Sequence, residues 1–358
     1  MPADKKPILA LTGSMATTNP GEVRDQIEKR LTTDWDIRTW TADEGEPALA
    51  DLMADADVVV PGVDTLFVGA FFSSLKASPN LRMLQIPFAG TDWLSPDLLP
   101  PQAVAAGCSG HEITMAEYTI GAMLEWEIRF RVMDPDFRSG SWHFSGSSKD
   151  PTSKHGEIWN KTVGIVGYGG IGEETAKRAK AFSMRTMGLK RSAMPCPPEL
   201  DWLGSSADDS TALMTLLKES DYVVLACDLN DATRGMIGTD ELAAMKDTAV
   251  VINVARGEVV QEEPFYQALK TKQIAGAIID TWYRYPARGL APGEAPEDPS
   301  PSACPFTELE NVMVTPHCSA HSNQADYRRM ISIASNLDKL ARGETPDRVM
   351  VRGTGVAA

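Results

Sequence analysis

The sequence predicts an α/β protein built from two doubly wound parallel-sheet domains with a cleft between them. Through the first hundred residues, short apolar runs alternate with amphipathic stretches, the pattern of buried parallel strands covered by helices on both faces. This rhythm pauses from Gly140 to Asn160, a stretch rich in Gly, Ser, Lys and Trp, and restarts at Lys161. At 358 residues the chain also exceeds the size of a usual single domain.

Taken in order, Pro7–Thr12 reads as a strand, Gly21–Leu31 as a helix, Asp36–Thr41 as a strand and Glu46–Asp55 as a helix. Further strands are expected at Asp57–Val60, Leu81–Ile86 and Gln102–Ala106, followed by one long helix over Thr114–Met133. From Lys161 the βα rhythm runs to Pro316, and Ser322–Leu340 reads as one helix before a polar tail. Pro286–Pro305 is crowded with Pro, Gly, Ala and acidic residues and is expected to be irregular. Two readings of it stand: a solvated surface insertion, or a flap beside the site, since loops of this length are often functional.

Composition narrows the classes. Hydrophobic residues make up 43% and charged residues 23%, an ordinary globular balance. No apolar run approaches the roughly 20 residues that span a bilayer, and the run Ile8–Leu11 is too short for a secretory signal. A cytoplasmic protein is therefore expected. The five cysteines are scattered, with no CxxC and no metal-ligand spacing, which points to reduced thiols and no metal. A net charge of −15 argues against nucleic acid and anionic membrane as partners.

The most informative motif follows the strand Thr162–Val166. Gly167-Tyr168-Gly169-Gly170-Ile171-Gly172 leads directly into a helical stretch, Glu173–Phe182. In that context GxGxxG is a dinucleotide-binding signature, and the second domain is expected to be Rossmann-like. The first glycine permits the tight turn, the second lets backbone approach a pyrophosphate, and the third lets helix pack on strand. The helix N-terminus then offers N–H groups to the phosphates. An acid at the end of the next strand would select NAD. Here Met184–Leu189 ends instead in Lys190-Arg191-Ser192, two cations and a hydroxyl suited to a phosphate dianion. NADP is thus expected over NAD.

Three later segments carry an identity: Val250–Val260 with its Asn-Val-Ala-Arg-Gly, Ile274–Asp280, and Asn311–His317 ending in Thr-Pro-His. With Gly167–Gly172 and Ser220–Leu225 they resemble, in order and over nearly the whole chain, the D-isomer-specific 2-hydroxyacid dehydrogenase family. The resemblance implies an NAD(P)-dependent hydride transfer at C2 of a small carboxylate substrate, with a D product. It implies Arg256 as the grip on the carboxylate and His317 as proton donor and acceptor. Both fit their chemistry, a planar bidentate cation and a group titrating near working pH. It implies Asp280 at the nicotinamide side, and Ala89 and Gly90 as backbone donors to the carboxylate. It further implies a flavodoxin-like substrate domain (residues 1–116 and 319–358), a cofactor domain (117–318) and a homodimer.

One departure from the family pattern stands out. Tyr285 occupies the place of the glutamate that pairs with the histidine, and a neutral phenol cannot raise an imidazole pKa as a carboxylate does. Three explanations follow. Tyr285 hydrogen-bonds His317 and joins the catalytic set; or Glu294 or Glu297 reaches back; or the chain has become a nucleotide-binding sensor, interaction protein or non-redox enzyme. Trp282, Tyr283 and Tyr285 are expected to wall an aromatic pocket or to pack beneath the loop.

Overall fold

A computed structural model describes residues 6–17, 23–285 and 300–356. The strands in order are β1 (Ile8–Thr12), β2 (Asp36–Trp40), β3 (Val58–Pro61), β4 (Met83–Gln85), β5 (Val104–Ala106), β6 (Thr162–Val166), β7 (Arg185–Lys190), β8 (Trp202–Ser205), β9 (Tyr222–Leu225), β10 (Val250–Asn253), β11 (Gly276–Ile279), β12 (Val312–Val314) and β13 (Val349–Arg352). They form two sheets, and the described residues divide into two compact units.

The first unit holds the described residues up to His111 and from Ser322 onward. Its sheet runs β13-β5-β4-β3-β1-β2, the doubly wound flavodoxin-like order with one strand added at an edge. Every residue of β1 and β3 is buried, as strands covered on both faces must be. The helix Asn323–Ala341 lays Met330, Ile333, Leu337 and Leu340 on one face of this sheet, against Leu9, Leu11, Val58 and Val60. Ser322 caps it by accepting from the Ala325 amide at 3.1 Å. The tail beyond, read from sequence as polar, contains β13. It pairs antiparallel with β5 through a register shift between Val349 and Val351. The buried amides of Gln85 and Asn336 hold this end: Asn336 Nδ2 donates to Gln85 Oε1 at 2.9 Å and Asp347 N donates to Asn336 Oδ1 at 2.8 Å.

The second unit holds the described residues from Glu112 to His321. Its sheet runs β12-β11-β10-β9-β6-β7-β8 and every strand pair in it is parallel. Counted from β6, this is the Rossmann order extended by one strand. Helix Glu112–Ile128 belongs wholly to this unit, packing Met115, Ile120 and Met123 against Val163 and Ile165. The unit therefore begins at Glu112 and ends at His321. The single helix expected over Thr114–Met133 is two, Glu112–Ile128 and Phe130–Arg138. They part at Arg129, whose φ of 65° is left-handed and whose guanidinium donates to the Thr152 and Lys154 carbonyls. No helix among the described residues is long and apolar enough to cross a membrane. Most of the Pro286–Pro305 segment, with Glu294 and Glu297, lies outside the described residues.

Candidate active site

The glycine motif sits at the carboxyl end of β6, where the neighbouring strands β7 and β9 lead away to opposite halves of the sheet. Such a switch point is where doubly wound sheets open a crevice for ligands. Gly167 turns there with a φ of 101°. A Cβ on it would lie 2.5 Å from the Cys227 amide nitrogen, so only glycine lets the loop pass the end of β9. Gly172 meets the Gly167 carbonyl, where a Cβ would come within 2.7 Å, and this draws the helix Gly170–Ala181 onto β6. A Cβ on Gly169 would meet nothing within 4 Å. The loop is thus pulled tight from behind and open in front, which fits a pyrophosphate. The helix begins at Gly170, so Gly170, Ile171 and Gly172 form its first turn, where N–H groups lack intrahelical partners.

The loop is joined to the end of β7. The amides of Gly167 and Tyr168 both donate to the Leu189 carbonyl, at 3.0 and 2.8 Å. Lys190, half-buried, and Arg191 and Ser192, both exposed, follow immediately. Their backbone is fixed from the other side by Ser206 N to Lys190 O at 2.9 Å and Ala207 N to Arg191 O at 3.0 Å.

At the end of β10 the chain makes a tight reversal. Asn253 Oδ1 accepts from Ala255 N at 3.1 Å and its Nδ2 donates to Arg256 O at 2.9 Å. Arg256 Nη1 donates to the Ala255 carbonyl at 2.8 Å. Gly257 lies against the end of β11, where a Cβ would meet the Trp282 carbonyl carbon at 2.5 Å. The arginine turn therefore abuts the segment that carries Trp282 and Tyr285.

Asp280 anchors the turn that carries His317. The Asp280 side chain is fully buried. Its Oδ1 accepts from Thr315 Oγ1 at 2.6 Å and from Cys318 N at 2.8 Å, and its Oδ2 accepts from Ser319 N at 3.0 Å. Tyr118 OH lies 2.6 Å from Thr315 Oγ1. Because the threonine proton goes to Asp280, the phenol is the donor, and a chain runs Tyr118 to Thr315 to Asp280. Burial, with Asp280 nearby, pushes the Tyr118 phenol up to about 12. Burial and the same carboxylate also raise the Cys318 thiol. These bonds bracket His317, which is exposed and carries a φ of 56°. A left-handed non-glycine residue is costly and is held only by surrounding contacts.

Tyr285 lies beside the histidine ring, with centroids 5.4 Å apart and planes tilted by 48°. Its hydroxyl accepts from the Trp282 amide at 3.0 Å. Of the two readings of Trp282 and Tyr283, packing is the one observed. Trp282 is buried and donates its indole N–H to the Thr315 carbonyl at 2.8 Å. Tyr283 stacks on Phe306, and its hydroxyl donates to the Val260 carbonyl at 3.0 Å. Only Tyr285, 43% exposed, remains on the surface of that trio.

In the first unit, Ala89 and Gly90 occupy the turn after β4, both partly exposed, and Gly90 has a φ of 89°. His111 is buried, whereas His155 and His321 are exposed. Burial pushes the Cys227 thiol up to about 11. Sequence reasoning passed over Tyr118, Glu199 and the structural use of Thr315. Only the last lay within a recognisable motif.

Comparison with known proteins agrees with this architecture. Residues 120–319 match the family model described as D-isomer specific 2-hydroxyacid dehydrogenase, NAD binding domain. A glyoxylate reductase of Thermococcus gammatolerans is 30% identical over 317 residues, covering 87% of this chain and 88% of the relative. A D-3-phosphoglycerate dehydrogenase of Methanocaldococcus jannaschii is 30% identical over 84% of this chain, which spans 53% of that longer protein. Among solved structures, a glyoxylate reductase from Paecilomyes thermophila superposes with a TM-score of 0.72 at 22% identity, covering 96% of this chain and 98% of that one. A D-isomer specific 2-hydroxyacid dehydrogenase from Xanthobacter autotrophicus, solved with NADPH and MES, gives 0.70 at 22% identity, with 96% and 98% covered. The chain belongs to the D-isomer specific 2-hydroxyacid dehydrogenase family and is an NAD(P)-dependent oxidoreductase acting at C2 of 2-hydroxy and 2-oxo carboxylic acids.

Proposed function

We propose that this protein is an NADP(H)-preferring reductase that converts a small 2-oxo acid to the D-2-hydroxy acid. The observation that carries it is the left-handed His317 held by Asp280 in the same unit as the Arg256 turn and the glycine loop. NADPH, when bound along Gly167–Gly172, supplies the hydride to C2. Lys190, Arg191 and Ser192 receive the 2′-phosphate, which supports the preference over NADH. Asp280 stands on the nicotinamide side.

Arg256 pairs with the substrate carboxylate and opposes charge developing on the carbonyl oxygen. Ala89 and Gly90, in the turn after β4, offer backbone N–H groups to a carboxylate. The His317 imidazolium gives its proton to the carbonyl oxygen as the C2–H bond forms, and takes it back in the reverse direction. Tyr285 stands in the family glutamate's place as a neighbour of the histidine ring. In this reading the first unit is the substrate domain and the second the cofactor domain.

The working form is a homodimer in the cytoplasm. Phe130, Phe137, Trp142 and Trp159 are 59% to 71% exposed, and exposed aromatics of this kind suit a protein interface. The five free thiols suit a reducing compartment.

Oxidation of NADPH and NADH by the purified protein, measured across aliphatic and aromatic 2-oxo acids, tests the reading. Turnover that prefers NADPH and vanishes in Arg256→Ala and His317→Ala is expected. Tight nucleotide binding with no turnover on any 2-oxo acid would overturn it in favour of a sensor.

A further inference from the structure

We infer that Tyr168 and Glu199 are a positioning pair that presets the phosphate-binding turn Lys190–Ser192 for the cofactor. The inference rests on the NADP(H) reading above.

Tyr168 is the second residue of the glycine motif, and its side chain turns inward rather than toward a ligand. It is buried, with its ring against Gly188 of β7, where an added Cβ would lie 3.3 Å from Tyr168 Cδ2 and 2.7 Å from Leu200 Cδ1. Gly188 is thus the notch that lets the ring pass over β7. At the far side the phenol donates to Glu199 Oε1. Glu199 belongs to the limb that returns after the Lys190–Ser192 turn. Its carbonyl accepts from Thr186 Oγ1 at 2.7 Å, and Asp201, two residues on, accepts from Thr186 N at 2.9 Å.

The consequence is a closed circuit. The glycine loop is bonded to the end of β7 through Leu189, the basic turn follows Leu189, and the returning limb is bonded to the glycine loop through Tyr168 and Glu199. Ser205 Oγ, donating to Arg191 O at 3.0 Å, closes the remaining side. Two adjacent cations resist being held together, and ordering their backbone at the moment of binding would weaken affinity. The pair removes that ordering step in advance. Without it, the limb returning from the 2′-phosphate turn is no longer tied to the glycine loop.

The test compares steady-state kinetics of Tyr168→Phe, Glu199→Ala, Glu199→Gln and the double variant Tyr168→Phe/Glu199→Ala. Phenylalanine keeps the buried ring, and glutamine keeps an acceptor for the phenol. Tyr168→Phe and Glu199→Ala are each expected to raise KM for NADPH about fivefold to tenfold, the effect of losing one charge-assisted bond that orders a site. Values of kcat should stay within about twofold and Glu199→Gln should recover most of the loss. The double variant should be no worse than either single one, because both break the same bond. Unchanged KM in Tyr168→Phe, or additive losses in the double variant, would overturn the inference. If the wild-type protein prefers NADH, the NADP(H) reading falls by itself. The pair then stands if KM for NADH rises in the same variants, and falls if it does not.

Discussion

The ring of Tyr285 rests 5.4 Å from the ring of His317, while its hydroxyl is bonded to the Trp282 amide. The histidine therefore has an aromatic neighbour whose polar end is used to shape the loop. Tyr285→Glu puts a carboxylate beside the imidazole and stabilises its charged form. Reduction needs the protonated ring and fades as pH rises through its pKa. The descending limb of the kcat/KM profile should accordingly move up by about one pH unit or more in Tyr285→Glu, and hardly at all in Tyr285→Phe. A limb that stays in place in Tyr285→Glu would show that this position does not sense the histidine.

Asp280 is expected to matter for stability as well as turnover. In Asp280→Asn one oxygen becomes a donor facing the amide of Ser319 or of Cys318. A buried donor left unsatisfied costs about 1–3 kcal/mol. Urea unfolding should register that loss, and kcat should drop with it because the turn no longer holds His317. A variant as stable as the parent would mean the network relaxes at no cost.

The backbone at His317 separates strain from chemistry. Asparagine tolerates left-handed φ better than alanine, so His317→Asn is expected to be about 1 kcal/mol more stable than His317→Ala. Both should lose about 100-fold or more in kcat. Equal denaturation midpoints for the two would argue that φ at this position relaxes.

Arg256→Lys keeps a cation but loses the planar fork. A fall in kcat/KM of about 100-fold is expected, close to that of Arg256→Ala, since removing a partner from a buried carboxylate costs about 2–5 kcal/mol. Near-normal kinetics in Arg256→Lys would show that charge alone suffices.

The cysteines offer a check independent of activity. Burial pushes Cys227 up to about 11 and, with Glu263 alongside, Cys304 up to about 12. Thiolate is the reactive form, so brief alkylation at pH 8 should mark exposed Cys196 and spare both. Mass spectrometry of the peptides would reveal early labelling of Cys227 or Cys304 if those surroundings were wrong.

How much of this was legible in the sequence depended on where the partners lie along the chain. The glycine motif, Arg256 and His317 stand in short segments whose spacing already encodes a turn. Tyr118 and Thr315, or Tyr168 and Glu199, meet only because the fold brings segments distant in sequence together. The break at Arg129 carries no Gly or Pro to announce it, because the Thr152 and Lys154 carbonyls hold it from a distance. β13 was hidden because an edge strand, buried little on either face, has no need of an apolar run. Trp282 and Tyr283 read equally as pocket wall or packing because aromatic composition does not say which way a ring turns.

The helix Asn323–Ala341 and β13 complete a sheet whose other strands lie in the first 106 residues. During synthesis that sheet must wait, with the apolar residues Leu9, Leu11, Val58 and Val60 uncovered, until the helix Asn323–Ala341 has left the ribosome. The second unit, continuous in sequence, has its strands available earlier and is expected to fold first. Chaperone binding should then peak on nascent chains that stop before Ser322 and fall once Ala341 has emerged.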